Sequence, residues 1–255
     1  MDMNFDLALA AGYTSNSQRS RRLTEGWIAS NMYCPRCGNP EIEHFPDNRP
    51  VADFYCPNCG NQYELKSIGG SLGEHVPDGA YETMIERITS NANPDFFFMS
   101  YLPQQHRVDG LLVVPKHFFV PDIIEKRNPL AATARRAGWT GCSILLSAIP
   151  AQGRILIVSH GQAADKNSVV AQLNKAQALE TRDLRARGWL FDVLNCVNAI
   201  PTAEFSLSAI YSFTEKLAAK HPENNNVQAK IRQQLQFLRN KGYIEFLSRG
   251  KYKKI

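Results

Sequence analysis

Residues 50–66 run Pro50-Val51-Ala52-Asp53-Phe54-Tyr55-Cys56-Pro57-Asn58-Cys59-Gly60-Asn61-Gln62-Tyr63-Glu64-Leu65-Lys66. Two short segments of strand composition, Val51–Tyr55 and Gln62–Lys66, flank a Cys-x-x-Cys turn, and the pattern breaks at Gly69-Gly70. This spacing predicts a hairpin with the cysteines at its tip. Residues two apart on a strand face the same side, so Glu64 and Lys66 point together, and pairing of the strands brings Asp53 to them. Two carboxylates suit Mg²⁺, a hard cation that takes oxygen ligands, with Asp53 and Glu64 as its holders. Lys66 can then orient or deprotonate an attacking water and offset charge on a phosphate. On an ordinary strand the same residues are only surface charge. Asp53 in an otherwise apolar segment, the hairpin spacing and a basic segment elsewhere favour a cleavage centre.

The turn has a counterpart upstream. Cys34-Pro35-Arg36-Cys37-Gly38 and Cys56-Pro57-Asn58-Cys59-Gly60 are two knuckles, each aiming two thiolates at one point. Together Cys34, Cys37, Cys56 and Cys59 complete a closed tetrahedral Zn²⁺ site, which holds a fold and leaves no position for substrate. The rival readings are a pair of disulfides, disfavoured in a reducing compartment, and a redox Cys-x-x-Cys, which needs no second copy. Cys142 and Cys196 stand in apolar surroundings and read as buried thiols. The histidines lack ligand spacing.

With 255 residues and an ordinary apolar fraction, the chain can form one large domain or two, each with its own core. Its longest apolar runs, such as Phe96-Phe97-Phe98-Met99, are strand-length, far short of the roughly 20 residues of a membrane span. No membrane partner is expected. The acidic start, Met1 to Asp6, lacks the features of a secretory signal, so the expected location is cytoplasmic. Residues 16–31 have helical spacing with Leu23, Trp27 and Ile28 on one face, as does Asp78 to Asn91 with Tyr81, Met84, Ile85 and Ile88. Strands are predicted at 95–102, 108–115 and 154–159, separated by a polar, basic stretch from Arg127 to Gly141. The first 180 residues thus read as one mixed α/β domain, with a linker near 182.

The net charge of +5 is modest, but its distribution is uneven. From Val227 onward, Lys230, Arg232, Arg239, Lys241, Arg249, Lys251, Lys253 and Lys254 face the single acid Glu245. Such a segment favours phosphate, although a solvated basic tail would look the same by charge alone. Pattern decides between them. Residues 189–199, 206–219 and 227–241 have helical apolar spacing, and Tyr243–Phe246 leads through Ser248-Arg249-Gly250 to Lys251-Tyr252-Lys253. Three helices and a basic hairpin form a winged helix-turn-helix. In its third helix Ile231, Leu235 and Leu238 serve the core. Lys230, Arg232, Gln233, Gln234 and Arg239, with Arg249 and Lys251 in the wing, are then available to DNA.

The arrangement resembles the Pro-Asp…(Asp/Glu)-x-Lys, or PD-(D/E)xK, nuclease superfamily, with two residues between Pro50 and Asp53 where the motif has none. More closely, and nearly end to end, the chain resembles the DpnI-like family of methyl-directed type II restriction endonucleases. The resemblance rests on Thr14-Ser15-Asn16-Ser17-Gln18, Asn48 through Cys56, Glu64-Leu65-Lys66-Ser67, Asp78-Gly79-Ala80-Tyr81, Thr133 through Trp139 and Lys230 through Leu235. After Ser67 the family carries lysines, and here Ile68-Gly69-Gly70 stand instead.

That resemblance implies an α/β PD-(D/E)xK nuclease domain over 1–182 with an inserted four-cysteine zinc site, and a winged-helix domain over 183–255. It further implies a monomer whose two domains bind double-stranded DNA carrying N6-methyladenine in GATC. The N6-methyl replaces a hydrogen that faces the major groove, so apolar surface must take over its recognition. Trp139, set beside Arg135 and Arg136, offers such a surface next to phosphate-binding charge. Two other functions fit the same residues: a non-enzymatic zinc-containing winged-helix regulator, and a repair nuclease that recognises DNA structure.

Overall fold

The computed structural model describes residues 1–46, 52–90, 93–181 and 183–255. In chain order α1 (Asn16–Asn31) precedes β1 (Glu43–His44), β2 (Phe54–Tyr55), β3 (Gln62–Gly69), β4 (His75–Ala80), α2 (Tyr81–Thr89), β5 (Asp95–Leu102) and β6 (Arg107–Val114). Next come β7 (Ile124–Lys126), β8 (Gly141–Leu145), β9 (Ile155–Ser159), β10 (Gln162–Ala163) and α3 (Lys166–Gln177). The C-terminal part holds α4 (Leu184–Ala199), β11 (Glu204–Ser206), α5 (Leu207–Tyr211), α6 (Thr214–Lys220), α7 (Val227–Asn240), β12 (Ile244–Ser248) and β13 (Lys251–Lys254). No helix among the described residues is long and apolar enough to cross a membrane.

The N-terminal domain is built on a mixed sheet of order β1-β2-β3-β5-β6-β9-β10, in which only β3 and β5 run parallel. β5 is buried along most of its length, with Phe96, Phe97, Phe98 and Met99 all inaccessible. A continuous apolar run of this kind belongs to a central strand covered on both faces. Pairing of Glu64 with Phe96 and Lys66 with Phe98 puts those charges on the face that carries the two phenylalanines. A second sheet, β4-β8-β7, is antiparallel, and its strand β4 leads directly into α2.

The C-terminal domain follows the winged-helix order: α4, β11, α5 and α6, α7, then the β12–β13 hairpin paired with β11. Gly250 takes a φ of 72° in the wing turn, a left-handed conformation that side-chain-bearing residues rarely adopt. Asp183 caps α4 by accepting from the amides of Arg185 and Ala186, so the helix begins five residues before its apolar pattern does.

Several expected elements shift. Asp78 to Ala80 belong to β4 rather than to the start of a helix, because they pair with Cys142 and Gly141 of β8. The segment 206–219 forms two short helices. The hydroxyls of Ser212 and Thr214 bond back to the carbonyls of Ala209 and Tyr211 where one helix would have continued. Of the strand expected at 51–55, Phe54 and Tyr55 are paired, and Val51, like Pro50, lies outside the described residues. The linker expected near 182 falls on another residue outside them.

Candidate active site

The hairpin expected around the second knuckle is present, with Phe54 opposite Tyr63 and Tyr55 opposite Gln62. Asp53 precedes β2; its amide donates to the carbonyl of Tyr63 at 2.9 Å, and its carboxylate Oδ2 accepts from the amide of Leu65 at 2.7 Å. Asp53 is therefore held at the level of Glu64 and Lys66 by the backbone of the strand that carries both.

Glu64 and Lys66 lie side by side, with Nζ 2.6 Å from the Glu64 carboxylate. Two residues to which the strand pattern does not point join them. Asp78, from β4 of the second sheet, forms a close ion pair with Lys66 and also accepts from the amide of Gly79 at 2.7 Å. Arg87, from α2, forms a close ion pair with Glu64. The result is a chain of alternating charge, Arg87–Glu64–Lys66–Asp78. Its side chains are only 7–18% exposed. Burial alone would lower the Lys66 pKa, but the carboxylates of Glu64 and Asp78 outweigh it and hold the ammonium above its ordinary value. Asp78 is hidden in the sequence because helical spacing runs through it, and a carboxylate paired across two sheets leaves no local signal.

The four cysteine sulfurs lie within 4.8 Å of one another. The Cys34–Cys59 and Cys37–Cys56 separations are each 3.6 Å, near the roughly 3.8 Å that tetrahedral Zn–S bonds of about 2.3 Å require. The knuckles repeat each other: the amide of Gly38 donates to the carbonyl of Cys34 and that of Gly60 to Cys56, with both glycines at positive φ. The donor set thus fits a structural zinc. The Tyr63 hydroxyl lies 3.1 Å from the Cys34 sulfur, and its ring stacks on Phe97 of β5, which ties the cluster to the strand of Glu64 and Lys66. Among the described residues no other group of three or more potential ligands gathers as tightly, so Asp53, Glu64 and Asp78 do not close to that degree around Lys66.

Strand β8 pairs Cys142 with Asp78, and the segment linking β7 to β8 is an exposed loop that returns to this strand. It carries Arg135 and Arg136, both exposed, and half-buried Trp139. The Arg136 guanidinium lies 4.6 Å from the Trp139 ring centre, so a cation already covers part of that apolar surface.

In the third helix of the C-terminal domain, Ile231, Leu235 and Leu238 are buried as expected, and Arg232 and Gln233 are exposed, with Lys230 partly so. Arg232 donates to the Tyr211 hydroxyl at 2.5 Å. Gln234 departs from expectation: it is 6% exposed. It sits three residues after Ile231 and four before Leu238, on the core stripe, and is not available to DNA. In the wing, Arg249 and Lys251 are accessible from solvent.

A family model described as DpnI, the Dam-replacing family, matches residues 1–182. A second, described as the Dam-replacing HTH domain, matches residues 185–254.

Proposed function

Because the chain belongs to the DpnI, Dam-replacing family of restriction endonucleases, we propose that it is a type II site-specific enzyme. In this reading it hydrolyses double-stranded DNA at GATC sites carrying N6-methyladenine, with a nuclease domain over 1–182 and a winged-helix reader over 183–255. The observation that carries it is the buried ion-pair chain around Lys66, set on the hairpin that also holds Asp53.

In this reading Asp53 and Glu64 hold Mg²⁺, which supplies a polarised water and charge compensation at the scissile phosphate. The carboxylates of Glu64 and Asp78 hold the Lys66 ammonium above its ordinary value and so favour its protonated form. Of the two roles open to it, donating a hydrogen bond to the attacking water and offsetting phosphate charge is the one its carboxylate partners favour. Asp78 positions the ammonium, and Arg87 positions the Glu64 carboxylate. The zinc held by Cys34, Cys37, Cys56 and Cys59 fixes the tip of the hairpin and so the register between Asp53 and Glu64.

Arg135 and Arg136 contact phosphate near the centre, where Trp139 offers its apolar face to the methyl group. Lys230, Arg232, Gln233, Arg249 and Lys251 form the second contact, through the third helix and the wing. The test is digestion of one plasmid, prepared with and without adenine methylation, in the presence and absence of Mg²⁺. Discrete fragments from the methylated, Mg²⁺-containing reaction alone, lost in Lys66→Ala, are expected. Equal cutting of both plasmids, or intact DNA in every reaction, overturns the proposal.

A further inference from the structure

Both oxygens of the Glu64 carboxylate are already engaged. Oε1 lies 2.6 Å from the Lys66 ammonium, and Oε2 forms the close ion pair with Arg87. Asp53 commits its Oδ2 to the amide of Leu65, which keeps it at the level of Glu64 on the hairpin. Two carboxylates so placed offer the oxygen donors that a hard divalent cation takes. The cations already present therefore decide how firmly such an ion is held.

Lys66 and Arg87 are not equivalent in this respect. Lys66 is held from two sides, by Glu64 and by Asp78. Arg87 comes from the last turn of α2, and among the described residues its guanidinium has the Glu64 carboxylate as its one partner. A guanidinium carries five N–H donors. One nitrogen of Arg87 serves Glu64, and none of its others is among the buried atoms left without a partner, so they are open to solvent on a side chain that is 18% exposed. Arg87 is thus the cation of the chain that can change partner, with a single tether and accessible donors in the fork that suits a phosphate.

Charge shows when it would do so. Asp53, Glu64 and Asp78 against Lys66 and Arg87 leave one negative charge at the centre. A divalent ion alone carries it past neutrality to one positive charge, among partly buried groups that salt screens weakly. A phosphodiester restores the balance. We propose that Arg87 exchanges partners as substrate binds: in the free protein it competes with a divalent cation for Glu64, and on the complex it moves to a DNA phosphate and leaves Glu64 to the metal. Firm metal binding is thereby tied to the presence of DNA. The proposal rests on the reading of Asp53 and Glu64 as a metal site, and adds the residue that decides when that site accepts its ion.

Isothermal titration of the full-length protein with Mg²⁺ alone, without DNA, tests it. Mg²⁺ prefers oxygen to thiolate ligands, so the four cysteines do not contribute. Arg87→Met should bind Mg²⁺ roughly tenfold or more tightly than wild type, the usual effect of removing one unit charge a few ångströms from an ionic equilibrium. Arg87→Lys, which restores the charge, should return the affinity toward wild type, and Asp53→Asn added to Arg87→Met should abolish the gain. Mg²⁺ binding in Arg87→Met that is equal to wild type overturns the exchange, and so does weaker binding, the result expected of a guanidinium that only props Glu64. Should Arg87→Met disturb folding, the Nε–H resonance of Arg87 in the wild-type protein, identified by its loss in Arg87→Lys, gives a second readout. With Ca²⁺ present it should shift on addition of a short methylated duplex, and an unmoved resonance at saturation overturns the exchange. Absence of Mg²⁺ binding in wild type and Arg87→Met alike brings down the metal site itself and the proposal with it.

Discussion

Lys66 has two carboxylate partners, and the difference between them is open to experiment. Glu64 is its neighbour on β3, while Asp78 reaches it from another sheet. Asp78→Asn removes one negative charge and leaves the ammonium drawn to Glu64 alone, in competition with Arg87 and with any metal that Glu64 holds. Single-turnover cleavage by this variant should fall by about 10²-fold, the usual consequence of a displaced group at a reaction centre. Affinity for methylated duplex should be unchanged. Cleavage within a few-fold of wild type would assign Asp78 to the fold alone. His117 makes a second prediction. Its folded-state value of about 3 lies below the ordinary 6.5, so the unfolded chain binds a proton that the folded chain refuses. The stability associated with its neutral burial is present above about pH 6.5 and is lost as pH falls toward 3. Unfolding in denaturant, followed from neutral to acid pH, should show this slope, and His117→Asn should flatten it.

At the scale of elements, the two knuckles and the wing each have a separable task. The second knuckle closes the β2–β3 hairpin, so Cys56→Ser should release zinc and lower the melting temperature, and chelation should do the same to the wild type. Structural zinc contributes on the order of 10 kcal/mol in small modules, comparable to the whole margin of a typical domain. Measured zinc content and thermal melting check this; a variant that melts like wild type without metal would exclude a structural role. The wing should matter only on DNA. Arg249 and Lys251 are exposed, so replacing both with alanine should leave melting unchanged. The slope of log affinity against log salt should then fall by about 2, because each of the two cations that pairs with a phosphate displaces about one counterion. An unchanged slope would place the phosphate-binding cations elsewhere on the domain.

At the scale of the whole molecule, the two parts meet at a packed junction. Phe118, after β6, stacks on Phe191 of α4 with ring centres 4.6 Å apart. Gln152 and Asn198 exchange hydrogen bonds of 3.0 and 2.9 Å, Asn195 donates to the carbonyl of Ala148 at 2.7 Å, and Tyr243 donates to that of Lys175 at 2.8 Å. An apolar stack ringed by paired amides docks the parts as a core does. Phe191→Ala should cost about 3–5 kcal/mol and lower the melting temperature by roughly 6–20 °C. It should do so for both parts in one transition, because each buries surface against the other. Calorimetry of the full chain decides: an unshifted nuclease transition would show the domains melting independently.

Whatever is local or short-range in this protein is already settled by the order of its amino acids. The alternation that places Glu64 beside Lys66, the paired Cys-x-x-Cys knuckles, the apolar run of β5 and the apolar stripe of α7 are properties of a few consecutive residues. Each is legible because backbone geometry alone turns such spacing into a shared face. Every association between distant segments needed the folded chain. Asp78 and Arg87 reach the centre because β4 pairs with β8 and α2 packs against that sheet; no periodicity around residue 78 encodes that. Gln234 shows the limit from the other side, since its polarity suggests an outward face while the stripe of its neighbours buries it. The cavity beside His117 likewise combines residues that follow β6 with others from α3 and α4, elements that meet only in the folded chain. Local chemistry chooses the elements, and long-range packing, which brings together charges far apart in the chain, assembles the site.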